Sequence, residues 1–111
     1  MRLRESAALR TRASVFAALG DETRLSVLAR LSKSEPQSIV RLTAGTKRSR
    51  QALTKHLRVL EDAGLVRGVR VGRENRFEIR PKPLEDARRY LADVSRQWDE
   101  ALARLKSFVE D

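Results

Sequence analysis

The sequence predicts a mainly helical α+β chain of about five helices and one two-stranded β-hairpin. Three observations carry that prediction. Apolar residues recur at helical spacing through most of the chain. The period changes to alternation only across residues 65–80, around a glycine-containing turn. A seven-residue apolar repeat then fills the last quarter of the chain.

The bulk numbers bound the problem. A chain of 111 residues is expected to form a single domain, residues 1–111, with one modest core. Hydrophobic residues make up 41% and charged residues 35%, so the chain should fold beneath a heavily charged surface. Lys and Arg total 24 against 15 acids, a net charge of +9, and nineteen of those bases are arginine. Arginine forks onto phosphate and guanine edges better than lysine does. An excess of this size favours a polyanionic partner, nucleic acid or an anionic membrane surface. There is no cysteine, which excludes disulfides and thiolate metal sites. "MRLRESAALRTRASVFAALG" is broken by Arg10 and Arg12, so no signal peptide is expected. With no apolar run of membrane length, the expected compartment is the cytoplasm.

The elements follow in order. Over residues 6–19, Ala8, Leu9, Val15, Phe16 and Leu19 sit at mostly helical spacing, and Gly20 ends the helix. Asp21 can cap the next helix, with Glu22 in its first turn. Leu25, Leu28, Ala29 and Leu31 give it an apolar stripe, with Val27 beside them. "SKSEP" breaks the chain. Ser38 can cap a short helix over 39–44, with Ile39, Val40 and Leu42 turned inward and Gly45 as its stop. Ser49 then caps the helix 49–63, "SRQALTKHLRVLEDA", and Gly64 stands at its end. Two helices joined by a short glycine-containing connection form a helix-turn-helix unit.

At 100° per residue, Leu53, Leu57 and Leu60 fall on one side of this helix, flanked by His56 and Ala63. The other side carries Gln51, Lys55, Arg58 and Asp62, with Thr54 at its margin and Arg50 in the first turn. The leucines settle which face is buried. The outward face is cationic and hydrogen-bonding at its start, and acidic only at Glu61 and Asp62. A DNA duplex is the partner that uses such polarity. The first turns of a recognition helix enter the major groove, where Arg forks onto guanine and Gln onto adenine. The candidate DNA-binding residues here are Ser49, Arg50, Gln51, Thr54, Lys55 and Arg58. Ser49 is expected to spend its hydroxyl on the cap. His56, the only histidine, is expected to be partly buried and locally hydrogen-bonded; one histidine without a second ligand is not a metal site.

"LVRGVRVGRENRFEIR" reads as a hairpin over 67–80, a wing with a basic tip. Arg70, Arg73, Asn75 and Arg76 are its candidate DNA contacts, to phosphate or an adjacent minor groove. After "PKP" a long helix is expected over 84–109. Leu84, Leu91, Trp98 and Leu105 recur every seven residues, and Ala87, Val94, Ala101 and Phe108 do so three places later. That a/d seam is too long to fold back on so small a core, and is expected to form a dimer interface.

The stretches "FAALGDETRLSVLARL", "SIVRLTAGTKRSRQALTKHLRVLEDAGLV" and "RGVRVGRENRFEI" resemble the ArsR-type winged helix-turn-helix transcriptional regulators, closely over about residues 15–79. "ARRYLADVSRQWDEALARLKSFVE" is similar to the long last helix of a branch that does not sense metals. The resemblance implies a winged helix-turn-helix homodimer built through the first and last helices. It implies binding to an operator that represses transcription, with Arg50, Gln51, Thr54 and Lys55 at the base-contacting positions. The cysteine pair of metal-sensing members is missing, and the last helix holds Asp86, Asp93 and Asp99 but no histidine. The resemblance therefore carries no metal-release mechanism, and it names no inducer.

The expected partners are double-stranded DNA and a second copy of the chain, with no membrane, metal or cofactor. The alternative is a protein-interaction adaptor that uses the winged fold and the last helix for docking. An enzyme is not expected: the neighbouring acids Asp21/Glu22, Glu61/Asp62 and Asp99/Glu100 read as caps or solvated charges, and no phosphate-binding glycine loop is present.

Overall fold

The computed structural model describes residues 2–110, with side chains over 5–110. The chain runs α1 (Arg2–Leu19), α2 (Glu22–Ser32), β1 (Gln37–Ser38), α3 (Ile39–Ala44), α4 (Arg50–Asp62), β2 (Val66–Val71), β3 (Glu74–Ile79) and α5 (Pro81–Glu110). The wing is therefore not a bare hairpin. Its three antiparallel strands lie in the order β1-β3-β2, with Ser38 opposite Arg76 and Val66 opposite Ile79.

Local chemistry sets the helix ends. The carboxylate of Asp21 accepts the backbone N–H of Arg24, and the hydroxyls of Ser38 and Ser49 accept those of Arg41 and Ala52. α4 stops in a paired turn. The N–H of Gly64 donates to Glu61 and that of Leu65 reaches back to Leu60, with Gly64 at φ 76. Only glycine takes that conformation without strain. The turn drops Leu65 into the core and aims the chain along β2. At the wing tip Val71 pairs with Glu74, which leaves a two-residue turn of Gly72 and Arg73. Gly72 has φ 64 and, among the described residues, no non-glycine residue has positive φ, the pattern of a type II′ hairpin turn.

The core is made by α2, α3, α4 and the start of β2. Leu42, Leu53, Leu57, Leu60, Leu65 and Val66 are its largest fully enclosed side chains. Each contributes roughly 1.5–3 kcal/mol through burial. Val15 and Ala18 of α1 and Ala87 of α5 close it from the other side. α1 and α5 also meet through aromatic contact: the rings of Phe16 and Tyr90 lie 5.9 Å apart, and the Arg12 guanidinium sits 5.0 Å from the centre of Tyr90.

Five inward assignments from the sequence are corrected. Val40 is 62% exposed, because α3 is only six residues long and Ile39 and Leu42 take its core-facing side. In α2 the buried residues are Val27, Leu28 and Leu31, while Leu25 and Ala29 face out. Ala8 and Leu9 are exposed, because only the second half of α1 meets the body of the protein, through Val15, Phe16, Ala18 and Leu19.

Two arginines belong to the fold and not to the surface. Arg30 donates to the carbonyls of Leu42 and Arg41 at 2.7 and 3.0 Å and to Gln37 Oε1 at 3.4 Å, closing the end of α3 from α2. Arg24 donates to the carbonyls of Ala18 and Ala17 at the end of α1 and to His56 Nδ1 on α4.

Candidate nucleic-acid interface

α4 presents the two faces that its spacing predicts. Leu53, Leu57 and Leu60 are buried, His56 and Ala63 are half-buried, and Arg50, Gln51, Thr54, Lys55 and Arg58 are exposed. The hydroxyl of Ser49 is committed to the cap. Thr54 Oγ1 donates to the Arg50 carbonyl at 2.7 Å, which leaves Thr54 only its methyl and its lone pairs to offer a partner. Among the described residues Arg50, Lys55 and Arg58 have no carboxylate partner, so their charges are uncompensated.

His56 is half-buried, but its bond is not local. Its Nδ1 stands 3.2 Å from the Arg24 guanidinium and 3.6 Å from the Asp21 carboxylate, so it fastens α4 to the start of α2. The Asp21 carboxyl is held below the usual carboxylate range, chiefly by the Arg24 backbone N–H; burial pushes it the other way, and the charges of His56 and Arg24 add lesser downward pulls.

The wing and α4 face a common groove of about 620 Å³. Arg50 and Thr54 line it from α4, Val40 and Arg41 from α3, and Asn75 and Phe77 from β3. The structure thus brings Arg50, Thr54 and Asn75 together, while Ser49, Gln51, Lys55 and Arg58 are not part of the groove lining. Arg70 lies opposite Asn75 in the strand register, and Arg73 sits in the tip turn. Arg76 differs from the other candidates, because it is paired with Glu74 at 3.4 Å. Arg67 is likewise paired, with Glu78 at 2.7 Å. Val40 and Arg41 are groove residues that the sequence did not flag. Their signal was hidden by the shortness of α3, in which one residue of register decides which side chains turn outward.

The a/d seam of α5 divides in two. Leu84 and Ala87 pack on the chain's own core. Beyond them Leu91, Trp98, Leu105 and Phe108 are exposed, Trp98 at 65% and Phe108 at 82%, with Val94 and Ala101 half-covered. A helix of thirty residues reaches about 45 Å, and the molecule is drawn out to 67 × 34 × 22 Å. Among the described residues no group of His, Cys, Asp or Glu side chains is placed to hold a metal ion, and no helix is long and apolar enough to cross a membrane.

Comparison with known proteins agrees with this geometry. Residues 19–69 match a helix-turn-helix domain family. The chain is 40% identical over 79 residues to YuzN of Bacillus subtilis (strain 168), described as an uncharacterized HTH-type transcriptional regulator, across 66% of this chain and 86% of that protein. A solved ArsR-like transcriptional regulator from Rhodococcus sp. RHA1 superposes with a TM-score of 0.82 at 40% identity, over 92% of this chain and 95% of that one. A homodimeric winged helix-turn-helix DNA-binding domain from Mycobacterium bovis, described as a possible ArsR-family regulator, gives a TM-score of 0.66 at 28% identity over 89% and 88% of the two chains.

Proposed function

The chain belongs to the ArsR-type winged helix-turn-helix transcriptional regulators, and from that premise we propose that it is a homodimeric repressor reading a palindromic operator. The observation that carries this reading is the shared groove, in which the unpaired Arg50 of α4 stands across from Asn75 of the wing. α4 enters the major groove by its first turns. Arg50 and Gln51 read base edges, Thr54 meets a thymine methyl, and Lys55 and Arg58 take phosphates or a flanking guanine. Ser49 supports them through the cap. Arg70, Arg73, Asn75 and Arg76 serve the adjoining backbone or minor groove. Glu61 and Asp62 mark the end of α4 that points away from the duplex.

The whole of residues 1–111 works as one DNA-binding domain in the cytoplasm, with 84–109 as its dimerisation helix. Leu91, Val94, Trp98, Ala101, Leu105 and Phe108 meet the partner copy, alongside α1, while Leu84 and Ala87 anchor the seam to the core. The exposed apolar run of α5 and the homodimeric M. bovis relative support that arrangement. Two copies would present α4 at half-sites about 34 Å apart, one turn of duplex.

Selection of duplexes from a random pool tests the reading. The expected product is an inverted repeat with that spacing. Arg50→Ala is expected to relax preference at one base pair, at about 1–3 kcal/mol. Unchanged preference in that variant removes Arg50 from base reading. The exposed face of α5 would equally suit an adaptor; a partner-dependent complex with no duplex bound in dilute salt would select that reading instead.

A further inference from the structure

Beside the groove shared by α4 and the wing lies a second, smaller cavity of about 370 Å³, lined by Pro36, Ser38, Arg41, Glu74 and Arg76. The two cavities have Ser38, Arg41 and Glu74 in common, so they are neighbouring parts of one surface. Arg41 comes from α3 and Arg76 from β3. β1 brings them together, because Ser38 is both the register partner of Arg76 and the cap of the helix that carries Arg41. Arg41 has no carboxylate partner among the described residues, while Arg76 holds Glu74 at 3.4 Å.

We propose that Arg41 and Arg76 form a seat for one phosphodiester of the duplex, and that Glu74 occupies Arg76 until the duplex displaces it. The inference rests on the DNA-binding reading above and adds to it a phosphate site with an internal competitor. The chemistry favours exchange. The Glu74–Arg76 pair is long and solvent-exposed, with side chains 50% and 34% accessible, and such pairs are readily broken. A phosphodiester brings two anionic oxygens that both guanidiniums can engage, whereas Glu74 engages only one. The neighbouring Arg67–Glu78 pair on the same face of the wing is closer, at 2.7 Å. Glu74 then acts as a brake on sequence-independent binding: each duplex must displace it, and it afterwards faces the phosphates as a like charge.

The salt dependence of binding tests this. A phosphate neutralised by an unpaired cation adds about 0.9 to the magnitude of the slope of log affinity against log salt. In the wild type, the cation released from the duplex at this seat is offset by one taken up at the freed Glu74. Glu74→Gln is therefore expected to steepen the slope by about 0.9 per seat. Its advantage over wild type should grow about 3.5-fold per seat when salt is lowered fourfold. In the Glu74→Gln background, replacing Arg41 and Arg76 together by Gln is expected to take away that added slope for every sequence. In an Arg76→Gln background, Glu74→Gln should leave the slope unchanged.

An equal gain from Glu74→Gln with and without Arg76, at constant slope, overturns the seat, since Glu74 would then act only through overall charge. Free inorganic phosphate offers the same chemistry. If it binds Glu74→Gln protein at millimolar concentration while the duplex slope stays at the wild-type value, the seat belongs to a free anion and the proposal fails. Should the wild type bind no duplex in dilute salt, the DNA-binding reading itself has failed, which these variants do not mimic.

Discussion

The guanidinium of Arg30 lies against Gly45 so closely that a methyl group built there would stand 2.4 Å from its Nη1. Gly45 has ordinary negative φ, so its need for glycine comes from that neighbour and not from the backbone. Gly45→Ala is expected to push Arg30 away from the Leu42 and Arg41 carbonyls. Loss of those bonds outweighs the roughly 0.4–1 kcal/mol that alanine contributes by restricting the unfolded chain, for a net loss of about 1 kcal/mol. In an Arg30→Ala background the sign should reverse, with Gly45→Ala neutral or stabilising. Urea unfolding of the four variants measures it, and additive behaviour would contradict the contact.

Asp21 gives the stability a pH dependence. Its folded carboxyl is depressed below the ordinary 3.8, first by the Arg24 backbone N–H. A depressed acid stabilises the fold above its unfolded value, and that contribution is lost as pH falls through the folded one. Stability should therefore fall with acidification from about pH 5 downwards. Asp21→Asn, which keeps an oxygen for the cap, should flatten that fall. Denaturation midpoints at a series of acidic pH values compare the two proteins.

Core and seam side chains should behave differently. Leu57→Ala empties a fully packed site and is expected to cost about 2–5 kcal/mol, with loss of cooperative unfolding in the worst case. Trp98→Ala removes a side chain that is 65% exposed on the single chain, so helix content should persist. Its effect is expected in the assembly: a lower solution mass at equal protein concentration, read by sedimentation. A Trp98→Ala protein as dimeric as the wild type would place the partner elsewhere.

The wing tip depends on Gly72. A side chain there meets no neighbour, so the penalty of Gly72→Val is purely conformational, on the order of 1–3 kcal/mol for a β-branched residue at positive φ. Because the tip is local, the expected result is loss of the β2–β3 cross-strand signals in an NMR spectrum, with the helices intact.

What could be read from the residues was whatever repeats within one element. The leucine period fixed the buried side of α4, and the change to alternation located the hairpin. Three features depend on contacts between distant segments, and these could not be read. β1 is two residues with no period of its own, recognisable only through its pairing to β3. Arg24 and Arg30 counted towards the net charge of +9, yet both are engaged inside the fold, and only their distant acceptors reveal it. Arg76 resembled its neighbours in the basic tip until the structure placed Glu74 against it.

The strand order carries one more consequence. With β3 in the middle, β2 is an edge strand whose outer rim has no partner strand in the sheet. Such a rim invites another sheet to add on, and lysine or arginine along it discourages stacking by mutual repulsion. Arg67 and Arg70 stand on that strand, so they guard solubility whatever else they touch. Neutralising several wing arginines at once would expose a sticky border, and material lost from solution would then mimic weakened binding.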